Sequence, residues 1–397
     1  MSVAATAAKH AIEEQLGLVL TGGGARGAYQ VGVLKWIARN YPDLYMPILT
    51  GVSAGAVNIA KLASAPGTFA QAVAELEHLW RNLTVEQVFR TDAWTLMRNA
   101  ANWGIRLMSG GHTTPRVRGF LDTRPLRALL VDVLAPLNGE LTGIDYNLAR
   151  KKLTAVAIIA TSYTTGQTVT FTKGENIKSW ERPQRRTEVG PITIDMVMAS
   201  AALPIFFPAV RIGREWYGDG GIRLAAPLSP ALHLGAHRLL AISTRYERTR
   251  EESQRAQISG YPPPAQVLGV LLNAVFLDLV DQDALRLEAL NELLDKLPPS
   301  ERLGMRIVRF LNVRPSMDLG RLAAQFEPRL PRPFRFMTRG LGTQEQSSPD
   351  VLAMLMFQPD YLGTLIDMGE RDAERMAPKL EAFFEDRPHR ASGTASG

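Results

Sequence analysis

The sequence contains no cysteine among its 397 residues. That excludes disulfides, thiolate metal sites and cysteine nucleophiles, and it fits a reducing compartment. It also lacks an apolar run of the roughly 20 residues needed to cross a bilayer. The longest stretch, 265–280, is interrupted by Gln266, Asn273 and Asp278. The first residues, MSVAATAAKHAIEEQ, have no basic segment followed by an apolar core, so no secretory signal is expected. These absences together predict a cytoplasmic location. Histidine is scarce: His10, His78, His112, His233, His237 and His389 are the whole set. There is no block of like charge, only a modest basic excess of +6. Such a surface attracts phosphate, in nucleic acid or anionic lipid, or is simply solvated; composition does not choose.

What is present reads as an ordinary globular chain, with 46% hydrophobic and 21% charged residues. Residues 16–21 (LGLVLT) form a short apolar run that stops at three glycines, as a buried strand would. Apolar residues Val31, Val33, Leu34, Ile37 and Ala38 then follow at helical spacing. A second apolar run, 47–52, ends at Ser53, and 54–64 reads as the next helix. Strand, helix, strand, helix is the opening of a parallel α/β sheet. Further on, 68–83 is an amphipathic helix. Residues 153–161 and 167–172 pair as strands, 194–202 is a short helix, 210–217 is a strand pair turning at Gly213, and 238–244 is another buried strand. After about residue 249 the character changes. A charged stretch and the Tyr261-Pro262-Pro263-Pro264 breaker precede an apolar helix over 265–294, either buried or acting as a lid. A second helical segment, 351–380, is broken at Pro359.

Three motifs carry chemistry. Gly51-Val52-Ser53-Ala54-Gly55 matches G-x-S-x-G. A serine at a sharp strand-to-helix turn needs small neighbours, and its hydroxyl then projects above the sheet at a helix N-terminus. Gly22-Gly23-Gly24-Ala25-Arg26-Gly27 bares backbone amides that can approach a developing oxyanion, where one lost donor typically costs about 2.7–4 kcal/mol. Gly22, Gly24 and Gly27 also spell a dinucleotide fingerprint, which wants an acidic residue ending the second strand about 20 residues on. That strand delivers Ser53 instead, and Asp43 precedes it beside Pro42, which disfavours a nucleotide-dependent oxidoreductase. Asp219-Gly220-Gly221 follows an apolar strand. Serine needs a base, and none of the six histidines has suitable surroundings. Asp219 can serve if it reaches Ser53 and if its surroundings raise its pKa; taken alone, Asp-Gly-Gly is also an ordinary turn.

These motifs in this order resemble the patatin-like phospholipase family. A fourth signature, Ala199-Ser200-Ala201-Ala202-Leu203-Pro204 with Phe206-Phe207-Pro208, strengthens the likeness, which covers about residues 15–245. The resemblance implies a three-layer α/β/α fold with a mostly parallel central sheet, a Ser-Asp dyad, and neither metal nor cofactor. It implies hydrolysis of lipid acyl esters. Carried over by position, Ser53 is the nucleophile within the elbow of Gly51 and Gly55, and Asp219 is the base, flanked by Gly220 and Gly221. The backbone of the Gly22–Gly27 loop, around Gly23, Gly24 and Arg26, is the oxyanion hole. Ala225 departs from the family, in which asparagine is common at this loop. A transacylase or acyl-thioesterase would use the same dyad, and a non-catalytic lipid-binding regulator would keep the fold without turnover.

The expected organisation is an N-terminal tail (1–14), a catalytic domain (15–248), a C-terminal helical region packing on or extending it (249–387), and a disordered tail (388–397). Arg329, Arg332, Arg335 and Arg339 interleave with Leu330, Phe334, Phe336 and Met337. That pattern suits peripheral contact with an anionic membrane, on the inner face of the cell membrane, or a solvated proline-threaded loop. No nucleic-acid motif accompanies it.

Overall fold

The computed structural model describes residues 16–385, except 93, 95–96, 99–100, 103–104, 106–107, 110–118, 255–257, 259, 277–278 and 347. The two expected tails and His10, His112 and His389 lie outside the described residues.

Ten strands form one sheet. They are β1 (Leu16–Leu20), β2 (Ile48–Val52), β3 (Ala155–Ser162), β4 (Thr168–Gly174), β5 (Glu181–Arg182), β6 (Arg185–Val189), β7 (Val210–Ile212), β8 (Glu215–Asp219), β9 (Arg238–Ile242) and β10 (Arg309–Val313). The order is β10-β9-β1-β2-β3-β4-β6-β5, with the β7–β8 hairpin attached to β3 through β8. From β10 to β3 every neighbour is parallel. Parallel strands are covered on both faces, and that is why 16–20 and 239–242 read as apolar runs without alternation. The alternation survives in which layer each residue joins. Leu18, Leu20, Leu49, Leu240 and Ile242 enter the larger core with the helices Gly27–Asn40, Ala54–Ser64 and Phe69–Asn82. Val19, Ile48, Leu239 and Ala241 pack on the opposite face with Leu228, Ala231, Val280 and Leu287. Helices therefore sandwich a mostly parallel sheet, the mixed α/β architecture expected.

Two features differ from the sequence reading. Residues 249–387 are not wholly helical, because β10 extends the sheet by pairing with β9. Its sequence RFLNV neither alternates nor runs apolar throughout, and so carries too little signal to mark a strand. As expected, the apolar stretch after Pro263 is helical, over Pro264–Phe276 and Leu279–Asp295, and 277–278 lie outside the described residues. The arginine-rich stretch is a helix, Arg332–Gly340, and not a loop. Its proline sits in the first turn, where the missing N–H has no helical partner to lose.

The C-terminal region is welded to the first helix by a backbone approach. Helix Pro359–Arg375 crosses Gly27–Asn40 where Gly32 faces Ile366 and Gly369 faces Tyr29. A Cβ at Gly32 would lie 1.9 Å from the Ile366 carbonyl oxygen, and one at Gly369 would lie 2.2 Å from that of Tyr29. Backbone cannot yield as a flexible side chain can. Gly32→Ala should therefore lower stability by about 1–3 kcal/mol or more, read as a fall in Tm. Gly190→Ala, where nothing lies within 4 Å, should be neutral. Equal melting of the two variants would contradict the packing.

Candidate active site

Strand register brings Ser53 and Asp219 together across 166 residues (219 − 53). Val52, the last residue of β2, pairs with Ile159 on β3. Asp219, the last residue of β8, pairs with the next β3 residue, Ala160. One strand thus carries both chain ends side by side. The close fit is visible at Gly220, where a Cβ would stand 2.2 Å from the Ile159 carbonyl oxygen.

Ser53 is the turn between β2 and helix Ala54–Ser64. Its φ of 57° and ψ of −126° are strained for a residue with a Cβ. Two contacts around it require glycine: a Cβ at Gly51 would meet the Gly55 carbonyl at 2.6 Å, and one at Gly55 would meet the Leu20 carbonyl at 2.3 Å. The serine amide is held by Ser200, whose Oγ accepts from Ser53 N–H at 3.0 Å while donating to the Ile159 carbonyl at 2.6 Å. Ser200 belongs to the Ala-Ser-Ala-Ala-Leu-Pro signature, yet its part in holding the elbow was not read from the sequence. A lone serine in a small-residue run gives no local clue to a partner 147 residues away.

Asp219 is fully buried. Its Oδ1 accepts from Gly221 N–H at 2.9 Å, and its own N–H donates to the Ala202 carbonyl at 3.1 Å. Loss of water disfavours the charged carboxylate. The nearby Ser53 hydroxyl and the Gly221 amide favour it, but burial wins and the carboxyl is pushed up to about 7. The contact with Ser53 is loose: no well-angled bond within 3.5 Å joins the two side chains, and Oδ2 has no hydrogen-bond partner. Catalytic hydrogen bonds often have this form before substrate binds. Tyr163 stands near the carboxylate, and its own phenol is raised to about 12, chiefly by burial and then by Asp219.

The described histidines are elsewhere. His233 stacks on Trp180, with ring centroids 4.7 Å apart. His78 lies beside Asn82 on an exposed helix face, and His237 precedes β9. None of the three shares a hydrogen bond with Ser53 or Asp219. Asp43, the residue spaced for a ribose, is exposed in a turn before β2.

The glycine-rich loop follows β1. Thr244 Oγ1 donates to the Gly22 carbonyl at 2.6 Å, and the chain turns through Gly23 and Gly24, both at positive φ, into a short 3₁₀ turn, Gly24–Arg26. Gly24 is required twice over, by its φ of 58° and by the Met354 carbonyl, which a Cβ would approach to 2.2 Å. Gly27 abuts the serine helix, since its Cβ would lie 2.8 Å from that of Ala54. A buried polar chain locks this packing. Trp80 Nε1 donates to Asn58 (2.8 Å), Asn58 Nδ2 donates to Gln30 (3.0 Å), and Gln30 Nε2 donates to the Thr21 carbonyl (2.8 Å). Arg26, expected to contribute through its backbone, also buries its guanidinium against Asp350 at 2.5 Å.

Ser53 and Gly24 line a cavity of about 60 Å³, whose walls also include Val57, Trp80, Leu83, Leu130, Phe207 and Phe357 and are almost wholly apolar. Phe357 and Trp80 escape a reading centred on motifs, because they reach the site only through packing. Of the four arginines expected at a membrane, Arg329 pairs with Asp360 and Arg335 donates to the Pro328 carbonyl. Arg332 and Arg339 are exposed, and Arg339 also takes part in an interaction within the chain. Among the described residues no helix is long and apolar enough to cross a membrane.

The raised Asp219 pKa has a consequence for stability. The folded chain keeps this proton to higher pH than the unfolded chain, so the cost of the buried charge grows as pH rises from about 4 through about 7. Asp219→Asn removes that charge. Its Tm should exceed the parent's near pH 8 by the equivalent of a few kcal/mol at most, and the gain should vanish below about pH 4. Melts at the two pH values test this; a gain independent of pH would contradict a buried ionising carboxyl.

A family model described as patatin-like phospholipase matches residues 18–232. No curated protein matches the sequence. Among solved structures the chain is similar to VipD from Legionella pneumophila, at 14% identity and a TM-score of 0.39, covering 92% of this chain and 67% of VipD. It is also similar to human GIVD cytosolic phospholipase A2, at 12% identity and a TM-score of 0.46, covering 93% of this chain. This chain spans 60% of that human protein's length. With more than half of its residues inside the family match, Ser53 and Asp219 among them, the chain belongs to the patatin-like phospholipase family.

Proposed function

We propose that this protein hydrolyses acyl esters of lipids, with Ser53 as nucleophile and Asp219 as sole general base. The observation that carries the reading is the Asp219 carboxyl: fully buried, raised to about 7, with one oxygen unpartnered beside the Ser53 hydroxyl. A base whose pKa lies near neutrality is suited to accept a proton at working pH and to return it. The apolar cavity beginning at Ser53 fits the first carbons of an acyl chain.

Asp219 takes the proton of Ser53 Oγ as that oxygen attacks the ester carbonyl carbon. The carbonyl oxygen gains the negative charge and accepts hydrogen bonds from amides of the Gly22–Gly27 loop. Collapse breaks the bond to the alcohol, which leaves with the proton held by Asp219. A water molecule, losing its proton to Asp219, attacks the acyl-enzyme. The fatty acid departs, and Oγ recovers the proton. The segment 249–387 works as part of the same catalytic unit, since Phe357 walls the cavity and Asp350 holds Arg26. The exposed arginines of helix Arg332–Gly340 contact anionic lipid.

Ser53→Ala should lower kcat/KM on a soluble acyl ester by at least about 10³-fold and abolish labelling by a fluorophosphonate. Asp219→Asn should retain slow labelling and lose about 10²–10⁴-fold in turnover. Parent kcat/KM should rise with pH through about 7, because only the deprotonated carboxylate is a base. Substantial hydrolysis by Ser53→Ala would end the proposal.

A further inference from the structure

Helix Pro264–Phe276 is built the wrong way round for a buried element. It buries Ala265 and Leu272 but turns Val267, Val270 and Leu271 outward at 49%, 57% and 58% exposure. With exposed Ala274 these fall at i, i+3, i+4 and i+7, a single stripe. Just before the helix, Tyr261 is 93% exposed. Soluble chains seldom leave a contiguous apolar strip in water without a use for it.

A second exposed face adjoins the first. The amide of Ala265 donates to the carbonyl of Leu341 at 2.9 Å, which ties the start of this helix to the end of helix Arg332–Gly340. On that helix Phe336 is 82% exposed. Arg332 and Arg339 flank it at i−4 and i+3 and are exposed as well. Exposed apolar side chains and guanidinium groups on two helices linked end to end are complementary to a bilayer whose headgroups are anionic: the apolar side chains enter the acyl boundary and the arginines remain among the phosphates.

The inner side of helix Pro264–Phe276 leads to the site. Asn273 donates to one carboxylate oxygen of Asp350. The other oxygen of Asp350 binds the buried guanidinium of Arg26, 324 residues away in the glycine-rich loop. The same helix packs on the Gly220–Arg223 turn that follows Asp219. Val270 and Ala274 also border a polar recess of about 540 Å³ shared with Arg26 and Asp350.

We propose that helix Pro264–Phe276, with Phe336, Arg332 and Arg339 beside it, is the face on which the protein docks to an anionic lipid surface, and that Asn273 and Asp350 couple this docking to the glycine-rich loop. The docking claim does not depend on turnover; the coupling claim rests on the hydrolase reading above. Asn273 and Asp350 are positioning residues, acting through Arg26.

The test uses the full chain, sedimented with phosphatidylcholine vesicles with and without phosphatidylglycerol. The parent should bind the mixed vesicles, less so as salt is raised. The triple variant Val267→Ser, Val270→Ser, Leu271→Ser should lose about tenfold or more in vesicle binding. It should keep the parent's Tm and its turnover of a short-chain soluble ester. Arg332→Glu with Arg339→Glu should abolish the preference for phosphatidylglycerol. Asn273→Ala should bind vesicles as the parent does and hydrolyse the soluble ester at the parental rate, but lose the rate increase that vesicle substrate gives over soluble ester. Equal binding by the triple variant, equal binding to neutral vesicles, or a lowered Tm in the triple variant would overturn the docking face. A parental dimer that the triple variant converts to monomer would do the same, since the stripe would then belong to a second copy. Full vesicle activation of Asn273→Ala would overturn the coupling alone. Vesicle binding without hydrolysis of either substrate would leave docking standing and sink the hydrolase reading.

Discussion

The structure turns on one unfavourable group, the carboxyl of Asp219, buried completely and given a single backbone donor. Water would have held its charge at little cost. The fold removes the water, and burial pushes the carboxyl up to about 7. Such a group survives only where its neighbours cannot move aside. Asp219 is pinned by its ladder position opposite Ala160, by its amide bond to Ala202, and by the tight passage of Gly220 over Ile159.

The serine side of the pair is held in a matching way. Ser53 occupies a strained backbone conformation, which persists because surrounding contacts over-determine it. Ser200 clamps its amide, glycines at 51 and 55 admit neighbouring carbonyls, and the Trp80-Asn58-Gln30 chain fixes the serine helix to the helix after the glycine-rich loop. Ser53 and Asp219 both rest on β3, so an error in the register of one strand would displace the two together.

The C-terminal region completes this arrangement. Strand β10 extends the sheet beside β9, helix Pro359–Arg375 presses backbone to backbone on Gly27–Asn40, and Met354 and Asp350 close on the glycine-rich loop. The loop that would receive the oxyanion is thus packed from behind by residues more than 300 positions away in sequence. That packing, and not the loop's composition alone, sets where its amides point.

Sequence by itself determined the local chemistry. Apolar runs ending in glycine mark buried parallel strands, and Gly51, Ser53 and Gly55 mark an elbow because that turn brings neighbouring carbonyls against positions 51 and 55. Such signals are legible because their physical cause, steric crowding within a few residues, is contained in the segment itself. Weakly patterned pieces were not legible: β10 neither alternates nor is apolar throughout, and the helix Arg332–Gly340 hides behind the proline in its first turn. Only the tertiary structure decided that Val52 and Asp219 flank adjacent β3 residues, that Ser200 grips the elbow, that Arg26 turns to Asp350, and how far burial lifts one carboxyl. Desolvation and long-range register are sums over groups distant along the chain, so no short stretch of sequence contains them.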